Sequence, residues 1–447
     1  MENFETLRQL LDEKKYTAFM RELDKLYPRD AAEFLAGLPL PQQPAVFRML
    51  KKDTAAEIFA ELDNDNKERI ISALTDSELT QITEELFTDD VVDMLEELPA
   101  NVVKRVLQSV SPETRATINR FLAYPEDSAG SIMTSEYATL RGDMTVNEAI
   151  AHIRKTGYDK ETVYTLYVVD GGRKLIGTLE LSDLLFGDPD VGISTLIDPN
   201  PASVLTTDDR ESAAMLIAKY DLLALPVVDS EGRLVGIVTV DDAMDVLENE
   251  ATEDISKMAA VTPADKPYLK AGVFSIFKKR IPWLLLLMVS ATFTGRIILH
   301  YENALGMYVI LAAFIPMLMD TGGNAGSQAS VTVIRSISLG EIEFKNLIPV
   351  VWKEIRVSLL CGATLSAAAF IKALFIDRAP VNIALIVCLT ILLVVITSKL
   401  VGAVLPLLAK LIRLDPAVMA SPLITTIVDT LALLIYFGIA SAMLGIL

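Results

Sequence analysis

Histidine and cysteine are almost missing from this chain. Its 447 residues hold two of each: His152, His300, Cys361 and Cys388. No zinc-type spacing and no disulfide framework can be built from so few, so thiol and imidazole metal chemistry is excluded. Basic charge is also short, 40 Lys and Arg against 59 Asp and Glu, a net charge of −19. A surface of that sign disfavours nucleic acid, whose phosphates must be neutralised by cations. The first fifteen residues, MENFETLRQLLDEKK, contain no apolar core of a signal peptide.

The charge deficit is uneven. Residues 281–447 carry 10 basic and 8 acidic residues, which leaves 30 basic and 51 acidic in residues 1–280, a net of −21. The first part reads as soluble and strongly acidic, the second as membrane. An acidic assembly of this kind suits cations and repels itself without them.

Apolar residues in 23–122 recur every twelve positions. Leu26, Leu38, Leu50, Leu62, Leu74, Leu86, Leu98, Val110 and Leu122 share one register. Four residues before most of them stands a second apolar residue, from Phe34 and Val46 to Val106 and Ile118. An i, i+4 pair per unit predicts one short helix and a turn, stacked into a superhelical array. Acidic helix starts such as Asp89, Asp90 and Asp93 are candidate cation ligands; an interaction module is the plainer alternative.

Two later segments align without a gap at an offset of 59: YVVDGGRKLIGTLELSDLL (167–185) and PVVDSEGRLVGIVTVDDAM (226–244). Each predicts strand, tight turn, strand and helix, preceded by a helix at 145–156 or 208–220. The pattern resembles a tandem pair of CBS domains. Such pairs often bind adenine nucleotides, and the resemblance implies a site at Gly236, Thr239 and Asp242. In the first copy Glu180 replaces the threonine, although Asp183 is retained. Beyond the second copy runs DDAMDVLENEATEDI (241–255). Helical spacing puts Asp242, Asp245, Asn249 and Glu253 on one stripe, flanked by Glu250 and Asp254, with no interleaved lysine. The stripe is either a solvated face or a set of oxygen ligands for Mg²⁺ or Ca²⁺.

Five membrane spans are expected at about 281–300, 305–336, 347–374, 379–410 and 416–446. The second is interrupted by PMLMDTGGNAGSQAS (316–330), which predicts a helix break lining a wet cavity. Close helix packing through small residues is the alternative. Basic residues gather at 335–356 and 399–413, so those loops face the cytoplasm. The N-terminal domains are then cytoplasmic and the C-terminus lies outside, in a multi-pass inner (plasma) membrane protein. In the last span, PLITTIVDTLALLIYF (422–437), Asp429 is an isolated carboxylate costing roughly 2.5–3.5 kcal/mol at a membrane centre. Asp320-Thr321-Gly322 spells the D-T-G of aspartic proteases. That motif belongs to a β-fold site and lies here in a helical span, so an enzyme is not expected.

Four pieces together carry a full-length resemblance: AYPEDSAGSIMT (123–134), GIVTVDDAMDVLENEATEDI (236–255), TGGNAGSQAS (321–330) and SPLITTIVDT (421–430). The chain resembles the MgtE family of magnesium channels. The resemblance implies a multidomain protein: an all-α superhelical domain (1–129), α/β CBS domains (130–192 and 193–250), a connecting helix (251–278) and a five-span helical pore domain (279–447). It implies a homodimer with a pore on its two-fold axis, lined by Asp429, Asn324, Ser421 and Thr425. It also implies regulatory Mg²⁺ ligands at Glu57, Asp89, Asp221, Asp242, Asp245, Glu250 and Glu253, with Mn²⁺ or Ca²⁺ as substitutes and ATP as a modulator. A secondary transporter coupling divalent metal to protons through Asp429 is the alternative function.

Overall fold

The computed structural model describes residues 2–263, 268–269 and 271–445. The chain divides into two compact units, Met1–Glu248 and Asn249–Leu447.

The first unit begins with short helices: α1 (Glu2–Asp12), α2 (Tyr16–Leu23), α3 (Pro28–Ala36), α4 (Gln43–Phe47) and α5 (Lys52–Ala60). There follow α6 (Asn64–Ala73), α7 (Asp76–Thr83), α8 (Thr88–Glu97), α9 (Ala100–Ser109) and α10 (Pro112–Phe121). The twelve-residue period has a physical basis in these elements. Leu74, Leu98, Val110 and Leu122 are helix C-caps, and the residues four before them, Ile70, Met94, Val106 and Ile118, are buried on the preceding turn. Thr75 and Glu78 form a reciprocal capping box, and Ser111 caps α10, so the turns before α7 and α10 restart a helix. Helices pack onto the next but one, α3 on α5, α5 on α7 and α7 on α9, with α4, α6, α8 and α10 forming the second row. The core between the rows is continuous, as expected for stacked repeats.

The rest of this unit holds two copies of one motif. The first is β1 (Tyr137–Arg141), α11 (Val146–Thr156), β2 (Thr162–Val169), β3 (Leu175–Glu180) and α12 (Leu181–Phe186). The second is β4 (Val204–Leu205), α13 (Arg210–Tyr220), β5 (Ala224–Val228), β6 (Leu234–Thr239) and α14 (Val240–Met258). Each sheet has a parallel pair, β1 with β2 or β4 with β5, followed by an antiparallel hairpin. The copies are stitched together: the Tyr137 hydroxyl and the Leu175 N–H donate to the Leu234 and Gly232 carbonyls at 3.1 Å each.

The connecting helix begins earlier and ends earlier than expected. It is the continuation of α14 and stops at Met258. Ala260 adopts a left-handed φ of 52°, and Pro263 follows, so the helix cannot run on. Residues 264–267 and 270 of that expected helix lie outside the described residues.

The second unit contains α15 (Val273–His300), α16 (Glu302–Met307), α17 (Ile310–Ser338), α18 (Leu347–Phe375), α19 (Val381–Leu411) and α20 (Ser421–Leu444). Among the described residues four helical segments, which contain α15, α18, α19 and α20, are long and apolar enough to cross a membrane. The fifth expected span, α17, is 29 residues long. Asp320, Asn324 and Gln328 make it too polar to qualify on apolarity alone.

The expected break in α17 is absent. The helix is continuous, and its glycines serve close packing instead. A Cβ at Gly322 would lie 2.7 Å from Val394 Cγ1, and one at Gly326 would lie 2.9 Å from Ile424 Cγ2. A Cβ at Gly402 would lie 2.2 Å from the Gly326 carbonyl oxygen, so α17 and α19 touch backbone to backbone. Small residues permit such contact, and dispersion then holds the helices. The basic residues are also placed differently. Arg335, Lys353 and Arg356 lie on helices, and Lys399, expected in a loop, is 6 % exposed within α19. The uncharged run before it is already one bilayer long, which made it look like a complete span.

Gly402→Ala is expected to drive a methyl group into the Gly326 carbonyl, at a cost of about 1–3 kcal/mol or more. A lower thermal midpoint and reduced monodisperse yield in detergent, relative to Gly438→Ala in open space, would check this.

Candidate metal centre and membrane acid

The acids that the first unit brings together come from three separate places. Asp89 and Asp90 stand in the first turn of α8, Asp241 and Asp242 in the first turn of α14, and Glu161 just before β2. The helix starts favour negative charge, but burial opposes it. Desolvation, reinforced by Asp242, Asp90 and Glu161, holds the Asp89 carboxyl well above its usual range. Burial and the neighbouring Asp241, Asp90 and Asp245 push Asp242 to about 7, against a hydrogen bond from Thr239. Glu161 rises to about 8, from burial and then from Asp241, Asp242, Asp90 and Glu136. Asp90 rises to about 6, from burial and from Asp93, Glu61 and Asp241, with Lys67 opposing.

Few hydrogen bonds relieve this crowding. The Thr239 hydroxyl donates to Asp242 Oδ2 at 2.6 Å, and the Asp90 N–H donates to Asp89 Oδ1 at 2.9 Å. Glu161 Oε2 is buried without a partner. Among the described residues no three His, Cys, Asp or Glu side chains converge tightly enough to grip a bare ion. The arrangement suits a hydrated cation, which takes oxygen acceptors at longer range; Mg²⁺ keeps several of its waters.

A second carboxylate beside this cluster is fully occupied. Glu136 accepts from the Thr88 N–H (3.2 Å) and hydroxyl (2.8 Å), the Thr134 hydroxyl (2.6 Å), and the Ser135 N–H (3.1 Å) and hydroxyl (2.9 Å). It thereby ties the start of α8 to the segment leading into β1.

Other expected ligands are more exposed or otherwise engaged. Asp245 is an exposed neighbour of Asp242, and Glu57 is exposed on α5. Glu253 pairs with Lys257 at 2.5 Å, so the stripe on α14 does have a lysine four residues on. Glu250 lies on the same helix. Lys257 also pairs with Asp415 at 2.6 Å, and the Ser338 hydroxyl donates to Asp254 at 2.9 Å. Asp254 is raised by burial and by Asp415 and Glu253, against that hydrogen bond and Lys257.

The residues of the expected nucleotide trio have close neighbours of their own. Gly236 is pressed against Met133, whose Sδ would lie 2.5 Å from an added Cβ. Thr239 is spent on Asp242. A cavity of about 630 Å³ opens between the two copies, lined by Tyr164, Thr178, Glu180, Asp183, Tyr220 and Asp221.

In the second unit Asp429 is half-buried on α20, and its Oδ1 is buried without a hydrogen-bond partner. Asp320 on α17 is its nearest charged influence. Asn324 is exposed one turn after Asp320, and Thr425, one turn before Asp429, packs against Gly323. The Ser421 side chain lies outside the described residues.

Comparison with known proteins assigns the chain to one family. Residues 315–439 match the MgtE divalent cation transporter model, 26–127 the MgtE intracellular N domain, and 129–188 and 193–249 the CBS domain. The magnesium transporter MgtE of Thermus thermophilus is 38 % identical over 98 % of both chains. This chain belongs to the MgtE family. The Bacillus subtilis magnesium transporter MgtE is 32 % identical, over 97 % of this chain and 95 % of its own. Among solved structures, the cytosolic domain of an MgtE Mg²⁺ channel in complex with ATP is 38 % identical. It aligns at TM-score 0.51 over 54 % of this chain and 99 % of its own. The soluble part of a magnesium transporter aligns at TM-score 0.53 with 30 % identity, over 56 % of this chain and 98 % of its own. MgtE relatives thus cover both the helical and CBS parts and the membrane helices.

The raised carboxyls fix a pH dependence. Asp242 and Glu161 have folded-state values near 7 and 8, against ordinary values of 3.8 and 4.5. The folded chain therefore binds more protons than the unfolded chain between about pH 4 and 8, and stability falls as pH rises through that window. In EDTA the thermal midpoint is expected to rise by several degrees from pH 8 to pH 6. Millimolar Mg²⁺ should flatten the slope. Differential scanning fluorimetry would check both.

Proposed function

We propose that two copies of this chain form a Mg²⁺-selective channel of the plasma membrane, closed by the Mg²⁺ that accumulates in the cytosol. The observation that carries the permeation half is Asp429: a carboxylate in a membrane helix, one oxygen buried and unpartnered, with Asp320 beside it. Such a group needs a cation. Two copies of Asp429 across a two-fold axis would offer paired charge to the water shell of Mg²⁺, which the ion gives up reluctantly. Asn324, Thr425 and Ser421 add neutral oxygens along the same path. The helical and CBS domains face the cytosol and the C-terminus lies outside, in keeping with the basic residues near 335–356 and 399–413.

The gating half rests on the buried acids. Without divalent ions, Asp89, Asp242 and their neighbours repel one another and favour separation of the helical and CBS parts. With Mg²⁺ bound, that repulsion is cancelled and the closed arrangement is favoured, because the ion binds one state more tightly than the other. Asp245, Glu57, Asp221, Glu250 and Glu253 complete the regulatory set, with Mn²⁺ or Ca²⁺ as stand-ins. ATP occupies the cavity lined by Glu180 and Asp183 and biases the same equilibrium; the ATP-bound relative supports this reading.

Asp429→Ala is expected to abolish Mg²⁺ flux into proteoliposomes while the dimer persists by light scattering; retained selective flux would sink the assignment. Flux that tracks an imposed proton gradient would instead favour a coupled transporter. Neutralising Asp242, Asp245, Glu250 and Glu253 together, as Asn and Gln, should leave flux intact and raise the inhibiting Mg²⁺ concentration at least about tenfold.

A further inference from the structure

The two charged residues with the least exposure among the described residues are lysines, Lys67 and Lys399. Lys67, on α6, is 5 % exposed. Helix α6 packs on α8, the helix that begins with Asp89 and Asp90. Lys67 is the cation that acts on Asp90 against the pull of Asp93, Glu61 and Asp241. Among the described residues it forms no ion pair. A buried ammonium without a close partner is expensive. The acids at the start of α8 stand on the helix that α6 packs against.

We infer that Lys67 is a tethered cation in the Mg²⁺-sensing cluster, which competes with the divalent ion and sets the concentration at which the gate responds. This rests on the gate reading above. The cluster holds two kinds of unmet demand: a buried, partnerless Glu161 oxygen and several carboxyls crowded into a desolvated site. One lysine relieves part of this at all times, because its charge is covalently fixed near Asp90. What remains for Mg²⁺ is smaller, so the ion binds more weakly. A channel that must stay open at ordinary cytosolic Mg²⁺ needs such weakening. The monovalent ammonium lowers the field of the site without filling it, since it cannot bridge several carboxylates as a divalent ion does.

The test compares full-length wild type, Lys67→Met, Lys67→Gln and Lys67→Arg in proteoliposomes, with Mg²⁺ varied on the side of the soluble domains. Removing the charge is expected to lower the half-inhibiting Mg²⁺ concentration roughly 3- to 10-fold, the scale of one screened charge on a divalent ion. Lys67→Arg should stay within about twofold of wild type. The Mg²⁺ midpoint for protection from limited proteolysis in detergent should move in parallel, and the difference should shrink in 0.5 M KCl as screening rises. These outcomes separate a charge effect from lost packing, which salt would not touch. Inhibition curves of Met and Gln variants that overlay wild type overturn the inference, as does an Arg variant that shifts as far as Met. A wild-type channel that Mg²⁺ fails to inhibit overturns the gate reading itself.

Discussion

Repulsion between buried carboxylates is the constraint that organises this molecule. Water would normally screen such charges, and here burial removes it. Asp89, Asp90, Asp242 and Glu161 respond by holding protons far above their ordinary range. The chain draws these acids from elements far apart in sequence, so their repulsion acts between pieces of structure as well as within a helix. Whatever cation reaches them therefore works on the fold. The net charge of residues 1–280 follows the same logic on a larger scale.

The membrane part uses the opposite economy. Its charges are few, and its cohesion comes from glycine and small residues brought to backbone contact, together with aromatic packing. Tyr301 stacks on Phe437 at 4.5 Å and 11°, and the Tyr436 hydroxyl donates to the Leu311 carbonyl at 3.0 Å. Against this background Asp429 stands out, with its Oδ1 buried and without a hydrogen-bond partner among the described residues. The same residue type thus stands in two settings, crowded in the first unit and singly on a membrane helix in the second.

Much of the fold was legible because it repeats. A twelve-residue period can only be short helices, and two gapless copies 59 residues apart declare a paired α/β motif. The glycine run of α17 was misread because a broken helix and a tightly packed one use the same residues. Only the facing atoms, Val394, Ile424 and Gly402, decide between them. The spacing of Gly236, Thr239 and Asp242 likewise did not announce their local contacts, Met133 against Gly236 and a hydrogen bond from Thr239 to Asp242. Glu161, Glu136 and Lys67 carried no local pattern. Their importance comes from what the fold brings beside them, Asp242, Thr88 and Asp90.

The contact between Gly402 and the Gly326 carbonyl has a mechanical consequence. Two helices whose backbones touch have no side-chain layer to deform between them. Rolling helix α17 along α19 would carry a side chain into the place that Gly326 and Gly402 leave free of a Cβ. The two helices form a single girder. Helix α20, which packs on both, then has a rigid pair and not two independent helices as its support.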